Sequence, residues 1–354
     1  MMSGNVTATA VRKPTPRRRW LWAAAAVVLT SAFAWSRVGM FDLPALPRGL
    51  GIADTGLADL PELKRLDRFV RGSHGASESA VVGLSGETLE AARLVRDGLK
   101  VIREGDSQRG LEMIREGARR APANLVFGNA YRMAVFTVQR ALLASSRRHA
   151  QLGSVLPPYI ANEPVAFFEA LSNEDDAREI RVQLALSWVD RMLLFPALEI
   201  KAPASVEAVN ILTKLIDDGN PGYVPALFAR GLNNLHRPAR LVWPEADKTP
   251  PDAAARDLGL CVAIGRTFGT VSSRLQAILA LAVGDAYVKA GRLGVARSWW
   301  QIAQNRSGDP SVQQAVRRRY GWPDAQVLDR LEEELDRARS ELDNPMTDLA
   351  LMWD

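Results

Sequence analysis

From Glu87 onward, apolar residues recur at three- and four-residue spacing and alternating β-branched runs are almost absent, so the pattern predicts helices rather than strands. Leu94, Val95, Gly98, Val101 and Ile102 form one stripe, and Leu111, Ile114, Gly117 and Ala118 form the next. Breaks at Gly105-Asp106 and Ala121-Pro122 separate them, which describes a helix, a short turn and a second helix. Further helices are expected over 127–145 and 177–195, and the fold class is all-α. Prolines 157, 158 and 164 mark one non-helical connection, and prolines 238, 244, 250 and 251 mark another around Trp243. Residues 324–343 place Leu328, Leu331, Leu335, Ala338 and Leu342 on one face. That is little more than two heptads, short for a coiled coil, so the expectation is a capping helix on the last repeat rather than a dimer zipper. Weak self-association through this helix is the alternative. The apolar stretch 348–353 that follows is expected to dock on the groove or on a partner.

Paired helices call for a search for period. Residues 277–310 read AILALAVGDAYVKAGRLGVARSWWQIAQNRSGDP and resemble a tetratricopeptide repeat. Gly284 and Tyr287 take the small and aromatic places of the first helix. Gly291 ends it, and Ala296, Trp300 and Ala303 form the small–large–small stripe of the second. Ala280 stands where the family has Trp. Residues 91–124 give a second copy through Gly98, Gly105, Gly110, Ile114, Gly117 and Pro122, with Val101 replacing the aromatic. A fainter copy spans 189–222 with Ala208, Leu212, Leu215 and Asn220-Pro221, and 225–235 around Gly231 opens the next unit. HEAT-like pairs and a unique helical bundle remain open as alternatives. The resemblance implies an α-superhelical array that binds other proteins as scaffold, adaptor or assembly factor. It also implies a groove lined by the first helix of each repeat, where Arg103, Asp285 and Lys289 are the matching candidates.

The amino-terminal segment has a different character. Residues 20–35, WLWAAAAVVLTSAFAW, are uncharged and reach about 24 Å as a helix, close to the ~30 Å hydrocarbon core. Val38, Gly39 and Met40 extend the run if Arg37 snorkels. Trp20, Trp22 and Trp35 sit near its ends, where indoles favour the membrane interface. Arg12, Lys13, Arg17, Arg18 and Arg19 precede it, which predicts a cytoplasmic amino terminus and an exported body. Ala32-Phe33-Ala34 offers the competing reading of a signal peptide cleaved after Ala34. The expected organisation is a basic region at 1–19, an anchor or signal at 20–38, a Pro- and Gly-rich stalk at 39–88, the repeat domain at 89–320, and a capping helix and tail at 321–354. This organisation implies a single pass through a bacterial inner membrane, with the body in the periplasm.

Charge and chemistry narrow the function. The formal net charge is +5, but removing the five amino-terminal cations leaves 40 basic residues against 40 acidic ones. A neutral body argues against nucleic-acid binding. The single cysteine, Cys261, excludes an internal disulfide and a thiolate zinc site, and reads as a small core residue. His74, His149 and His236 have no metal-ligand spacing. No His-Glu-x-x-His, phosphate-cradling glycine loop or Gly-x-Ser-x-Gly occurs. Glu174-Asp175-Asp176 and Glu332-Glu333-Glu334 are contiguous, and adjacent helix positions do not converge. The expectation is therefore a protein-binding body without a catalytic site, cofactor or metal. A structural subunit of a membrane complex is the alternative, followed by an α-superhelical cell-wall enzyme.

Overall fold

Helix α1 (Gly86–Arg103) buries Ala91, Val95, Gly98, Leu99 and Ile102, and α2 (Ser107–Arg120) buries Gly110, Ile114, Gly117 and Ala118 against it. Leu99 thus joins the stripe, whereas Leu94 and Val101 are only half-buried. The turn between the helices is specific. The Gly105 N–H donates to Ile102 O at 3.0 Å and the Asp106 N–H to Val101 O at 3.1 Å, with Gly105 at φ 101°. This is the paired bonding of a Schellman cap, whose left-handed residue favours glycine. Asp106 then caps α2 by accepting from the Arg109 N–H at 3.1 Å.

The same construction recurs between α9 (Ser273–Lys289) and α10 (Leu293–Arg306). Gly291 N–H donates to Val288 O at 2.9 Å, Arg292 N–H donates to Tyr287 O at 2.8 Å, and Gly291 has φ 72°. The helix crossings also correspond. A methyl group at Gly98 would stand 2.6 Å from Ile114 Cγ1 and 2.7 Å from Gly110 O; one at Gly284 would stand 2.4 Å from Trp300 Cδ1 and 3.0 Å from Ala296 O. The 91–124 and 277–310 units are therefore the same supersecondary structure, with Ile114 in the place of Trp300.

This computed structural model describes residues 86–149, 162–194, 198–217, 221–238, 252–268, 273–341 and 347–349. The chain divides by contact at Leu46/Pro47, and all described residues lie in the second unit. Among them the structure is helical, without strands. Between the two repeat units lie α3 (Leu125–His149), α4 (Glu163–Glu174), α5 (Arg178–Leu194), α6 (Leu198–Asp217), α7 (Val224–His236) and α8 (Ala253–Phe268). After them come α11 (Pro310–Tyr320), a 3₁₀ turn at Asp324–Gln326 and α12 (Val327–Glu341). The faint 189–222 copy does not keep register, because that window begins inside α5 and the observed partners are α5 and α6. Pro203 lies within α6 rather than at a boundary. The 225–235 segment is α7, which pairs with α8 across the proline-rich 239–251 stretch outside the described residues.

The odd-numbered helices touch one another in sequence, α1 to α3, α3 to α5, α5 to α7, α7 to α9 and α9 to α11. Each even-numbered helix up to α10 packs chiefly on its odd neighbours. The odd-numbered helices therefore form one continuous layer, and within it residues 127–139 of α3 and most of α5 are buried, as expected in the middle of a stack. Helix α12 packs on α9, and its Val327, Leu331 and Leu335 are buried; Leu328 is exposed, and Leu342 lies outside the described residues. The 20–38 anchor and the stalk to residue 85 also lie outside them. No described helix is long and apolar enough to cross a membrane.

Candidate functional site

Helix α3 begins where Asn124 Oδ1 accepts the Val126 N–H at 2.9 Å. Every residue from 127 to 139 is then buried, including Asn129, Arg132, Thr137 and Gln139. Asn129 and Arg132, three apart, share one face. On α5, buried Gln183, Ser187 and Asp190 are spaced by four and three and form a polar stripe. The two polar faces meet. Arg132 Nε donates to Gln183 Oε1 at 3.1 Å, Nη1 donates to Asp190 Oδ2, and Nη2 donates to Asn129 Oδ1 at 2.9 Å. Gln183 is itself fixed, its Nε2 donating to Leu125 O at 3.1 Å, and Ser187 Oγ donates to Gln183 O at 2.8 Å. A buried guanidinium must be paired and hydrogen-bonded to be tolerated, and this one is.

A segment from beyond α12 completes the cluster. The Thr347 hydroxyl donates to Asp190 Oδ1, and Thr347 O accepts from Arg132 Nη2. Asn129 Nδ2 donates to an Asp348 carboxylate oxygen at 2.9 Å, and Asn129 Oδ1 accepts the Leu349 N–H at 3.0 Å. Thr347, Asp348 and Leu349 are all buried, and Leu349 joins the main apolar core. Burial raises the Asp190 carboxyl above the usual carboxylate range, opposed by Arg132 and Thr347 and reinforced by Asp348. The cluster thus holds one guanidinium and two carboxylates, and it is hydrogen-bonded to the chain's own residues 347–349 through both main-chain and side-chain groups.

Two of the three sequence-predicted groove residues are used elsewhere. Asp285 is 4% exposed; it accepts from Arg319 Nε and Nη2, both at 2.6 Å, and from Trp300 Nε1 at 3.0 Å. It ties α9 to α10 and α11 and presents no accessible oxygen to a partner. Lys289 Nζ donates to Leu235 O at 2.7 Å and to Arg237 O, and pairs with Glu332 Oε1 at 3.0 Å. It neutralises the carbonyl end of α7 and holds α12. Both were expected on a solvated groove; both are internal because α11 and α12 cover the last repeat. Arg103, two residues before its glycine turn as Lys289 is before Gly291, is half-buried on α1. Asn129, Arg132, Gln183 and Asp190 were not among the residues expected from sequence. The available signal was four hydrogen-bonding side chains inside otherwise apolar helices, where such groups are costly unless used.

Cys261 is buried on α8, its thiol pushed far up by burial and by Asp257, as a core position requires. Among the described residues no group of three or more His, Cys, Asp or Glu side chains is arranged to hold a metal ion.

No protein-family model matches the chain. No curated protein matches it either. Among solved structures, a thermophilic TPR protein of Thermus thermophilus aligns with 17% identity and a TM-score of 0.38, covering 64% of this chain and 96% of that one. At that score the likeness has no bearing on function.

Proposed function

We propose that the helical body is a protein-interaction scaffold that receives a peptide segment of a partner on the layer of odd-numbered helices. The observation that carries this is the α3–α5 polar cluster, which already holds a three-residue peptide by its main chain and side chains. Stacked helix pairs present such surfaces in series. With residues 20–38 read as a membrane anchor, the scaffold would face the bacterial periplasm and serve assembly or maturation of an envelope complex. No catalytic or cofactor role is assigned.

The test is site-directed photo-cross-linking in cells with the full chain. A cross-linker at position 103 on α1 is expected to capture a partner; one at exposed position 109 on α2 is not. Recovery of one assembled envelope complex in stoichiometric amount would favour the accessory-subunit reading. Capture of unassembled subunits would favour an assembly factor. Adducts only from position 109 would overturn the assignment of the binding layer.

A further inference from the structure

The α3–α5 cluster has its own internal hydrogen bonds besides those to residues 347–349. Gln183, fixed by Leu125 O, holds Arg132 Nε; Asp190 and Asn129 hold the two Nη nitrogens. The bonds that join these four residues to one another do not pass through residues 347–349. What the occupant adds is a readable pattern. Two contacts are to main chain, Thr347 O and the Leu349 N–H, which any peptide supplies. Two are to side chains, a hydroxyl on Asp190 and a carboxylate on Asn129 Nδ2. The third side chain, Leu349, is wholly buried. The site therefore specifies hydroxyl, acid and aliphatic residues in succession, with a main-chain clamp at both ends.

Resting on the scaffold reading above, we propose that this cluster is a binding subsite for a partner segment of the form Ser/Thr–Asp–aliphatic, and that Thr347, Asp348 and Leu349 occupy it as an internal competitor. A segment tethered by a short connection has an effective concentration on the order of millimolar. Against a free peptide of roughly 10–100 μM affinity, that competitor weakens apparent binding by about 10- to 100-fold. A partner engages only when it matches the pattern and is itself concentrated at the body.

The test uses full-length protein and a fluorescent peptide with the sequence of residues 344–352, NPMTDLALM. Wild type is expected to bind it weakly. The variant Thr347→Val/Asp348→Ala/Leu349→Ala, with its own segment disarmed, should bind it about 10- to 100-fold more tightly. A peptide carrying the same three changes should not bind. Adding Asn129→Asp to the variant places a carboxylate against Asp348 of the peptide and should abolish binding; a peptide with Asn at that position should restore it, which a role in folding alone does not explain. If the disarmed variant loses thermal stability, recovery of its melting temperature on adding peptide supports the proposal. A variant that stays folded and binds no peptide, or one that unfolds and is not rescued, overturns it. In either overturning case a partner captured from position 103 would leave the scaffold reading standing. Peptide binding without such a partner would sink the scaffold reading instead.

Discussion

Asp285 and Arg319 form the interior pair on which the end of the array depends, and their removal separates a structural role from a binding one. Each is about 95% buried on its side chain, and the carboxylate accepts three hydrogen bonds. Asp285→Leu leaves a guanidinium that cannot discharge, with Glu334 at 3.3 Å and the Ala315 carbonyl at 3.1 Å as its remaining partners among the described residues. Stranding one buried charge costs about 3–5 kcal/mol. Arg319→Met instead strands the carboxylate, whose pKa burial already raises, and which escapes by taking a proton. Its cost should be comparable near neutral pH and smaller at pH 5. The double variant Asp285→Leu/Arg319→Met strands neither charge and should recover at least about 2 kcal/mol of the summed loss.

At about 2–4 °C per kcal/mol for a body of this size, each single change should lower the melting midpoint by roughly 6–20 °C. Circular dichroism melts at pH 5 and pH 8 give the cycle. Hydrogen exchange should place the loss in α9 to α12, since a stack loosens locally. Additive losses, with the double variant worse than either single, would refute the account of a mutually dependent buried pair. Partner capture that falls with Asp285→Leu while the melting point holds would return that residue to the binding surface.

Three other outcomes follow from specific residues. Glu163, beside Arg115 at 3.0 Å, has its carboxyl raised from about 4.5 to about 7 by burial, which outweighs the guanidinium. The folded state therefore holds a proton that the unfolded state releases near 4.5, so its stability contribution is complete below that pH and is lost as pH rises toward 7 and beyond. Glu163→Gln should match wild type at pH 4 and exceed it by about 1–3 kcal/mol at pH 8, and parallel melting curves across that range would contradict this. Gly98→Ala should destabilise the α1–α2 pair by about 1–2 kcal/mol, because overpacking against the Gly110 carbonyl outweighs the gain in helix propensity; exchange should quicken in α1 and α2 but not in α9 and α10. Cys261 should react with a disulfide reagent at pH 8 at least about 100-fold more slowly in native than in urea-unfolded protein. Comparable native and unfolded rates would show that α8 is not closed over it.

The helix pairs were legible because their determinants are local. Gly105 and Gly291 terminate helices through their own backbone, and the small residues at 98, 110, 284 and 296 mark crossings between helices adjacent in sequence. The register of 189–222 was not legible, since α5 and α6 lack a glycine turn and a proline lies inside α6. The site was illegible for a different reason. Asn129 and Asp190 are far apart in sequence, and Asp348 lies 219 residues beyond Asn129. Nothing in the periodicity indicates that the segment after α12 returns to α3. Asp285 and Lys289 are the converse case: the repeat pattern places them on the first helix of the last unit, but their covering by α11 and α12 is a tertiary event that local pattern does not carry.

That returning segment changes how the array should respond to a partner. In a simple stack each unit meets only its neighbours, so an event at one end decays along the chain. Here α12 packs on α9, and the residues that follow it are held by α3 and α5. The connection bypasses α6 to α8, so the two halves of the body share one constraint that is independent of the intervening interfaces. Releasing residues 347–349 from Asn129 and Asp190 would remove that constraint at a single step. An occupant acting in trans restores the hydrogen bonds at α3 and α5 but not the link to α12. The filled and self-occupied states would therefore be similar at the subsite and different at the far end. Hydrogen exchange in α12, compared between wild type and the disarmed variant saturated with peptide, reports that difference directly. Faster exchange there with unchanged α3 and α5 is the expected result, and equal exchange in all three would mean the segment carries no constraint between them.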